Sequence, residues 1–384
     1  MDFDFSWILL GLPVAFTLGW IASRVDLRQL RIENRQAPKA YFRGLNFLLN
    51  EQQDQAIDAF IEAVQRDPDT SELHFALGNL FRRRGEYERA VRVHEHLLQR
   101  ADLSQLDRDR AQHALALDYL KAGLLDRAEA ALRKLEGTDY EEQARLALLS
   151  IYERSSDWQQ SADIASKLNS AGQASFSSRQ AHYLCERATT LVAIGDTTQA
   201  LSLLQSACST APASARPLID LAKLQLQDSQ PKEAFQTLLK LEEAAPQAMP
   251  LAAGLLVMIA RNDAFCSQVM TLLKTHYKQT PSVDVMDAIA TLQKDPATSR
   301  QGYIQHLETE TSLIAAARWV AGEKLASAAE EHNHELVQRA LDQAIKPLMR
   351  YRCAACGFDA TQHFWHCPGC QAWDSYPARR IEEL

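Results

Sequence analysis

An internal repeat near the start of the chain constrains the fold more than any other feature of the sequence. A small residue, an aromatic residue and an alanine each recur 34 positions later: Gly44 and Gly78, Phe47 and Phe81, Ala56 and Ala90. This order is typical of two antiparallel helices, because the small residues let the helices cross closely while the aromatic ring fills the space beside them. Pro68 ends the first unit, since proline cannot continue a helix. The sequence therefore predicts a helical hairpin as the building block.

The period and spacing resemble the tetratricopeptide repeat, and Phe60 and Ala63 also fall on that family's pattern. A single hairpin of this kind cannot bury its apolar face alone. Successive hairpins are therefore expected to stack into a solenoid with a concave groove. The resemblance implies a binding scaffold and not a catalyst.

The repeat continues along the chain with variable loops. The small position recurs at spacings of 33 to 39 residues, at Ala128, Ser161, Ala200 and Ala234. Gly85, Gly123 and Gly195 mark turns within hairpins, since glycine adopts a positive φ easily. We predict six repeats over residues 39–246, the fourth being the least regular. Residues 247–347 keep helical apolar spacing without the signature, and we interpret them as degenerate repeats, with an independent helical domain as the alternative.

The first apolar segment, Phe5–Ala22, contains no charged residue. As an α-helix it would be about 27 Å long, enough to cross the hydrocarbon core of a bilayer with little tilt. Trp7 and Trp20 lie near its two ends, where membrane interfaces favour amphipathic rings. The alternatives are a buried core helix and a cleaved signal peptide, but a signal peptide normally begins with positive charge, and here only acidic residues precede the segment. We predict a transmembrane anchor over residues 1–23 and a juxtamembrane stalk over residues 24–38.

The charge pattern predicts the side of the membrane on which most of the chain lies. No Lys or Arg precedes the apolar segment, and four arginines follow it directly: Arg24, Arg28, Arg31 and Arg35. The positive-inside tendency then places the bulk of the chain in the cytoplasm. Cysteine usage agrees, because four of the seven cysteines cluster in a metal-type spacing near the C-terminus and not in a disulfide framework. The formal net charge of -8 argues against nucleic acid as a partner.

Two C-x-x-C pairs, Cys353/Cys356 and Cys367/Cys370, predict a metal site. Each pair can form a turn whose backbone N–H groups point at the thiolates, and two such turns together supply a tetrahedral set of four sulfur ligands. Residues 348–384 are too few to build a sufficient core unaided, so ligation would supply much of their folding free energy. We predict zinc, with iron as the alternative because four thiolates also bind iron. A redox role for either pair is a further alternative.

The spacing of the two pairs resembles the rubredoxin-like zinc ribbon. Gly357 follows the first pair as that family prefers, whereas Gln371 stands where a glycine is expected after the second. His363 and His366 are close enough in sequence to be ligands, but with four cysteines available we expect them to pack or to face solvent. Several aromatic residues are expected to dock the ribbon on the preceding helices: Tyr351, Phe358, Phe364, Trp365, Trp373 and Tyr376.

Other candidate sites carry less information. Asn79 and the arginines at 82–84 lie late in the first helix of the second repeat, where they could line the concave groove or form a solvated charged face. His332 and His334 are two residues apart, so on a helix they point in different directions and do not predict a metal site. We find no motif of a phosphate loop, a metalloprotease or a serine hydrolase. We assign no catalytic residue and predict that the chain is not an enzyme.

The anchor, the repeats and the ribbon together resemble the lipopolysaccharide assembly protein B family, most clearly over residues 40–98 and 350–373. The resemblance implies an all-α tetratricopeptide-repeat solenoid with an N-terminal transmembrane helix and a small C-terminal rubredoxin-like zinc ribbon. It implies a single-pass protein of the bacterial inner membrane that faces the cytoplasm and contacts the bilayer through residues 5–22.

The same resemblance implies a function and partners. The partners would be the FtsH-type membrane AAA protease, the LpxC deacetylase whose degradation the chain would promote, and other inner-membrane proteins of the lipopolysaccharide pathway. Lipopolysaccharide biosynthesis would be regulated in this way. The alternatives are an assembly platform for lipopolysaccharide synthesis enzymes and a rubredoxin-type electron carrier. The sequence leaves open whether the chain forms a homodimer.

Overall fold

The computed structural model describes residues 14–20, 41–170, 176–293, 295–323 and 328–384. Most of the predicted anchor and all of the predicted stalk lie outside these ranges, although residues 14–20 are helical. Among the residues that are described, no helix is both long enough and apolar enough to cross a membrane. The chain divides into two compact units, Met1–Arg154 and Ser155–Leu384.

The first unit is built from helices joined by short turns. They are α1 (41–49), α2 (Gln53–Arg66), α3 (Ser71–Arg84), α4 (Tyr87–Gln99), α5 (Gln105–Lys121), α6 (Leu125–Arg133) and α7 (Glu141–Ser155). Each of α2 to α5 packs against the helix that follows it. A core of alanine, leucine and phenylalanine side chains connects α2 to α4.

The second unit continues the helical pattern and ends in a small ribbon. Its helices are α8 (Trp158–Ser170), α9 (Ser177–Ala193), α10 (Thr197–Thr210), α11 (Ala215–Gln227), α12 (Pro231–Ala244), α13 (Met249–Ala260), α14 (Asp263–Gln279), α15 (Val283–Leu292), α16 (Pro296–Thr309), α17 (Leu313–Ala321) and α18 (Ala328–Ile345). The strands β1 (Tyr351–Arg352) and β2 (Asp359–Ala360) pair antiparallel, with Tyr351 opposite Ala360. A short 3-10 helix, Ile381–Glu383, ends the chain.

The positions predicted to be small are where paired helices meet. Six of them are fully buried: Ala56, Ala90, Ala128, Ser161, Ala200 and Ala234. A Cβ added to Gly44 would lie 2.8 Å from the ring of Phe60, and one added to Gly78 would lie 2.5 Å from the ring of His94. The small residues are therefore required by the close approach of the second helix, and His94 takes in the second repeat the place that Phe60 has in the first.

The turns within the six predicted repeats each use a residue with positive φ. Gly85, Gly123 and Gly195 have φ values of 86°, 77° and 88°, as predicted from the glycines. The turns of three other hairpins use residues that the sequence did not mark: Glu51, Ser156 and Ser229, at 59°, 57° and 59°. The backbone conformation is thus a property of the hairpin and does not depend on glycine.

The helices after residue 246 share a core with those before it. One buried cluster runs from Leu218 in α11 to Ala315 in α17 and includes Met249, Leu256 and Val285. This continuity favours degenerate repeats over an independent helical domain. The boundary itself remains a prediction.

A buried carboxylate joins three consecutive helices of the first unit. Asp118 of α5 is fully buried. It accepts a hydrogen bond of 2.7 Å from Nη1 of Arg82 in α3, and its second oxygen lies 2.5 Å from Nδ1 of His94 in α4. Arg82 is therefore turned into the packing between repeats and is not a free groove residue.

Candidate metal centre

Each cysteine pair lies in its own loop, the first closed by the two strands and the second by an isolated bridge. Cys353 follows β1 directly, and its N–H donates to the carbonyl of Phe358 at 3.0 Å. The second pair lies in a loop that a bridge between His366 and Trp373 closes. Cys353 and Cys367 are buried, whereas Cys356 and Cys370 are exposed.

The four predicted ligand atoms lie within 4.8 Å of one another. The Sγ atoms of Cys353 and Cys370 are 3.8 Å apart, and those of Cys356 and Cys367 are 3.7 Å apart. Four sulfurs placed tetrahedrally at a zinc–sulfur distance of about 2.3 Å would be separated by about 3.8 Å. The spacing therefore fits one tetrahedral metal ion, and it is far longer than a disulfide bond.

Both cysteine turns have the same backbone hydrogen bond. Gly357 donates its N–H to the carbonyl of Cys353 at 2.9 Å, and Gln371 donates to that of Cys367 at 2.8 Å. Gly357 has a φ of 76° and Gln371 a φ of 60°. The second turn thus keeps the geometry of the first although its glycine is missing, and Gln371 holds a left-handed conformation that costs about 1–2 kcal/mol in a non-glycine residue.

The thiols influence one another because they are so close. Burial opposes ionisation of Cys353, but Ser375 and the N–H groups of Cys356 and Ala355 outweigh it and lower its pKa to about 6. The N–H of Phe358 favours the thiolate of Cys356, yet burial and the neighbouring thiols raise its pKa to about 12. Four sulfurs in this arrangement cannot all ionise without a compensating charge, and a bound cation supplies that charge.

The ribbon docks on the helices of its own unit through an aromatic residue. The ring of Trp373 stacks on His182 of α9, with centroids 4.8 Å apart, and its other neighbour His366 stacks at 4.3 Å. Tyr183 and Trp158 contact the same ring edge-on at 5.7 and 6.1 Å. Aromatic residues of the ribbon are therefore used within the chain, as the sequence predicted.

Hydrogen bonds to Asp374 fix the orientation of this contact. Oδ2 of Asp374 lies 2.8 Å from Nε2 of His182 and accepts a hydrogen bond of 3.1 Å from Oγ of Ser178. Burial raises the pKa of Asp374, but the hydrogen bonds from His182 and Ser178 outweigh burial and hold that pKa below its usual value. His182 is itself fully buried. The charged side chain thus anchors the loop that follows the last cysteine.

Comparison with known proteins identifies both the repeats and the ribbon. A family model described as a rubredoxin metal-binding domain matches residues 351–376, and tetratricopeptide-repeat models match residues 43–102 and 191–259. Lipopolysaccharide assembly protein B of Escherichia coli (strain K12) is 30% identical over 385 residues, which cover 98% of this chain and 99% of the relative. This chain belongs to the lipopolysaccharide assembly protein B family. The four cysteines form the metal-binding site of its ribbon.

More distant matches include a second family member and a repeat protein of known structure. The family member from Haemophilus influenzae is 27% identical over 402 residues, covering 96% of each chain. A solved tetratricopeptide-repeat protein from Parabacteroides merdae has 12% identity and a TM-score of 0.34, over 67% of this chain and 99% of that one. Because this TM-score is low, the fold is assigned from the helices described above and not from this match.

The histidines near the cysteines in this family member have other roles. His363 uses Nε2 to donate to the carbonyl of Tyr376 at 3.0 Å, and burial lowers its pKa despite that hydrogen bond. His366 donates from Nε2 to the carbonyl of Gln371 at 3.0 Å. Both rings pack on tryptophan, as expected for residues that are not ligands.

The candidate groove residues of the second repeat have partners within the first unit. Asn79 accepts a hydrogen bond from Arg82, and Arg84 pairs with Asp54 and Glu86. Arg83 is exposed.

Among the side chains that the structure describes, His332 and His334 belong to no cluster of metal-ligand type. His332 is exposed, whereas His334 lies 2.8 Å, through Nε2, from the carbonyl of Val320.

Sequence reasoning missed the residues that attach the ribbon. His182 and Asp374 are separated by 192 positions, so no local pattern connects them. The acidic tail residues Glu382 and Glu383 also escaped notice, although both contact helices far away in the sequence.

Proposed function

We propose that this family member is a non-enzymatic scaffold in lipopolysaccharide assembly, and that it promotes degradation of the LpxC deacetylase by an FtsH-type membrane protease. The observation that carries the proposal is the alignment with the Escherichia coli protein, which runs from end to end and includes both the repeats and the ribbon. The relatives are named for lipopolysaccharide assembly. Repeat proteins of this type bind other proteins through extended surfaces.

The physical basis of the proposal is effective concentration. A scaffold anchored beside a membrane protease confines a substrate near it and raises the encounter rate without chemistry of its own. In this proposal residues 1–23 anchor the chain in the bacterial inner membrane as a single pass. The repeats over 39–246, the degenerate repeats over 247–347 and the ribbon over 348–384 hold the substrate in the cytoplasm.

The junction of ribbon and helices offers space for binding. Two cavities of about 690 and 750 Å³ share the lining residues Leu251, His363 and Trp365. These volumes fall in the range of ligand pockets. A scaffold function is consistent with such recesses at a place where two structural elements meet.

We propose zinc as the resident metal, in a structural role. The sulfur spacing fits it, the four positions are all filled by cysteine, and sites without an open ligand position are typically structural. Metal analysis of natively purified chain tests this assignment. Redox-active iron as the functional metal would instead support the rubredoxin-type electron carrier.

The degradation proposal is tested by the half-life of LpxC in cells lacking this gene. Full-length chain should shorten the half-life, whereas chain lacking residues 1–22 should still bind LpxC in a pull-down but leave it long-lived. A third form, in which an unrelated transmembrane helix replaces residues 1–22, separates tethering from contacts made by the anchor itself.

Two outcomes contradict the proposal in different ways. An LpxC half-life that is the same with and without the chain removes the degradation function and leaves the assembly platform. If chain lacking residues 1–22 shortens the LpxC half-life as much as full-length chain does, tethering is ruled out but the degradation function stands.

A further inference from the structure

The last residues of the chain reach back onto the helices. We propose that the tail Arg380–Glu383 is a clasp that couples metal binding in the ribbon to the first turns of α15 and α17. The proposal is independent of the function proposed above. It rests on three sets of contacts within the second unit.

Glu382 closes the N-terminus of α17. Its carboxylate accepts hydrogen bonds from the backbone N–H groups of Leu313 and Ile314 and from Oγ of Ser312 at 2.7 Å. Ser312 in turn accepts from the N–H of Ala315. The first N–H groups of a helix have no partner within the helix and favour negative charge. A residue of the tail therefore completes a helix end 68 to 70 positions away.

Glu383 does the same for α15. Its Oε1 accepts the N–H of Val283 at 2.6 Å, where the N-cap residue Ser282 provides no side-chain hydrogen bond. Arg380 supports this contact, since its guanidinium donates to both carboxylate oxygens of Asp284 at 2.9 Å. Two neighbouring acidic residues thus accept hydrogen bonds from the N-termini of two different helices.

The other side of the tail lies on the ribbon. Arg380 donates to the carbonyl of Met349 at 2.7 Å and lies 4.3 Å from the ring centroid of Tyr351, while Ile381 donates to the carbonyl of Arg350 at 2.8 Å. Tyr351 stands two positions before the ligand Cys353. The tail therefore depends on the position of β1.

β1 is held by its pairing with the two-residue strand β2, by the ion pair of Arg352 with Asp359, and by the ligand Cys353 that follows it directly. The buried residues of the ribbon are Tyr351, Cys353, Ala360, Cys367 and Tyr376, and two of these are metal ligands. Loss of the metal should release β1, then the tail, then the two helix ends. By thermodynamic linkage, loss of the helix contacts should weaken metal binding by the same factor.

Hydrogen–deuterium exchange of full-length, metal-loaded chain tests the clasp. Chelation with EDTA should speed exchange in the first turns of α15 and α17 about tenfold or more, because charge-assisted hydrogen bonds protect those amides. Glu383→Gln should affect only α15, and Glu382→Gln only α17, with metal still bound. Glu243→Gln, an exposed residue of α12, is the matched control and should change neither helix.

Zinc affinity, measured by competition with a chromophoric chelator, provides the second readout. The Glu382→Gln/Glu383→Gln double variant should bind zinc several-fold more weakly than wild type, and Glu243→Gln should bind it equally well. Two results would overturn the clasp. One is exchange at α15 and α17 that stays unchanged while the chelated ribbon exchanges freely, and the other is wild-type zinc affinity in the double variant.

Discussion

The helical hairpins of the first unit and the C-terminal ribbon both lack a core large enough to fold alone, but they obtain one differently. The hairpins bury alanines and aromatic rings against the next helix, so each contact is small and repeated. The ribbon has five buried residues, and its cysteines meet at one point. Stability is thus spread over neighbours in the hairpins and concentrated in one ion in the ribbon. Substitutions should therefore differ in how far their effects extend.

The largest effect is expected from Cys370→Ser. Loss of one of four ligands should remove most of the metal-binding free energy, which is roughly 10–16 kcal/mol for structural zinc sites. The ribbon should unfold and metal content should fall, while far-UV circular dichroism keeps most of its helical signal. Cys266→Ser, in α14, is the control and should retain the metal. Retention of stoichiometric metal by Cys370→Ser would show that the ribbon does not depend on a complete ligand set.

A smaller and more local effect is expected from Gly78→Ala. The new Cβ would lie 2.5 Å from the ring of His94, which Asp118 holds in place, so the helices must separate. Such overpacking typically costs about 1–3 kcal/mol, measurable by urea unfolding of the first unit. Gly254→Ala in α13 is the matched control, because nothing lies within 4 Å of the new Cβ and helix propensity alone should stabilise by about 1 kcal/mol. Equal effects of the two substitutions would contradict the close crossing.

The smallest effect should be stabilising. Gln371→Gly relieves the left-handed strain at the second cysteine turn, and Ser229→Gly does the same between α11 and α12. Each substitution should raise the free energy of unfolding by about 0.5–1 kcal/mol. This is less than the strain relieved, because glycine loses more conformational freedom on folding. Gln371→Gly should raise zinc affinity a few-fold, whereas Ser229→Gly should raise only the unfolding midpoint. A loss of zinc affinity in Gln371→Gly would mean that the glutamine side chain itself supports the site.

The sequence predicted those features that depend on local spacing. Gly44, Gly78 and the buried alanines follow from a fixed period, and the C-x-x-C pairs follow from the geometry of one turn. It failed where packing imposes a conformation on an ordinary residue, as at Glu51 and Ser156. Two helices packed together determine the turn between them, and the residue in that turn then adapts.

Contacts between distant residues were also beyond prediction. His182 with Asp374, and Arg380 with Asp284, are 192 and 96 positions apart and leave no periodic signal. The substitution of His94 for an aromatic at the repeat position could have been noticed, since a polar ring at a buried position requires a partner. Identifying Asp118 as that partner required the structure.

The buried Asp118 has a consequence for how such a chain can evolve. Repeat arrays commonly change length when whole units are duplicated, lost or exchanged, since one unit resembles the next. Here a carboxylate in α5 pairs with Arg82 and accepts a hydrogen bond from His94, and both of these residues belong to the preceding repeat. Moving either repeat elsewhere would leave Asp118 as a buried charge without its partners. This would lower the free energy of unfolding by roughly 3–5 kcal/mol. We therefore expect the second and third repeats to be inherited as a pair, with their order fixed at that junction.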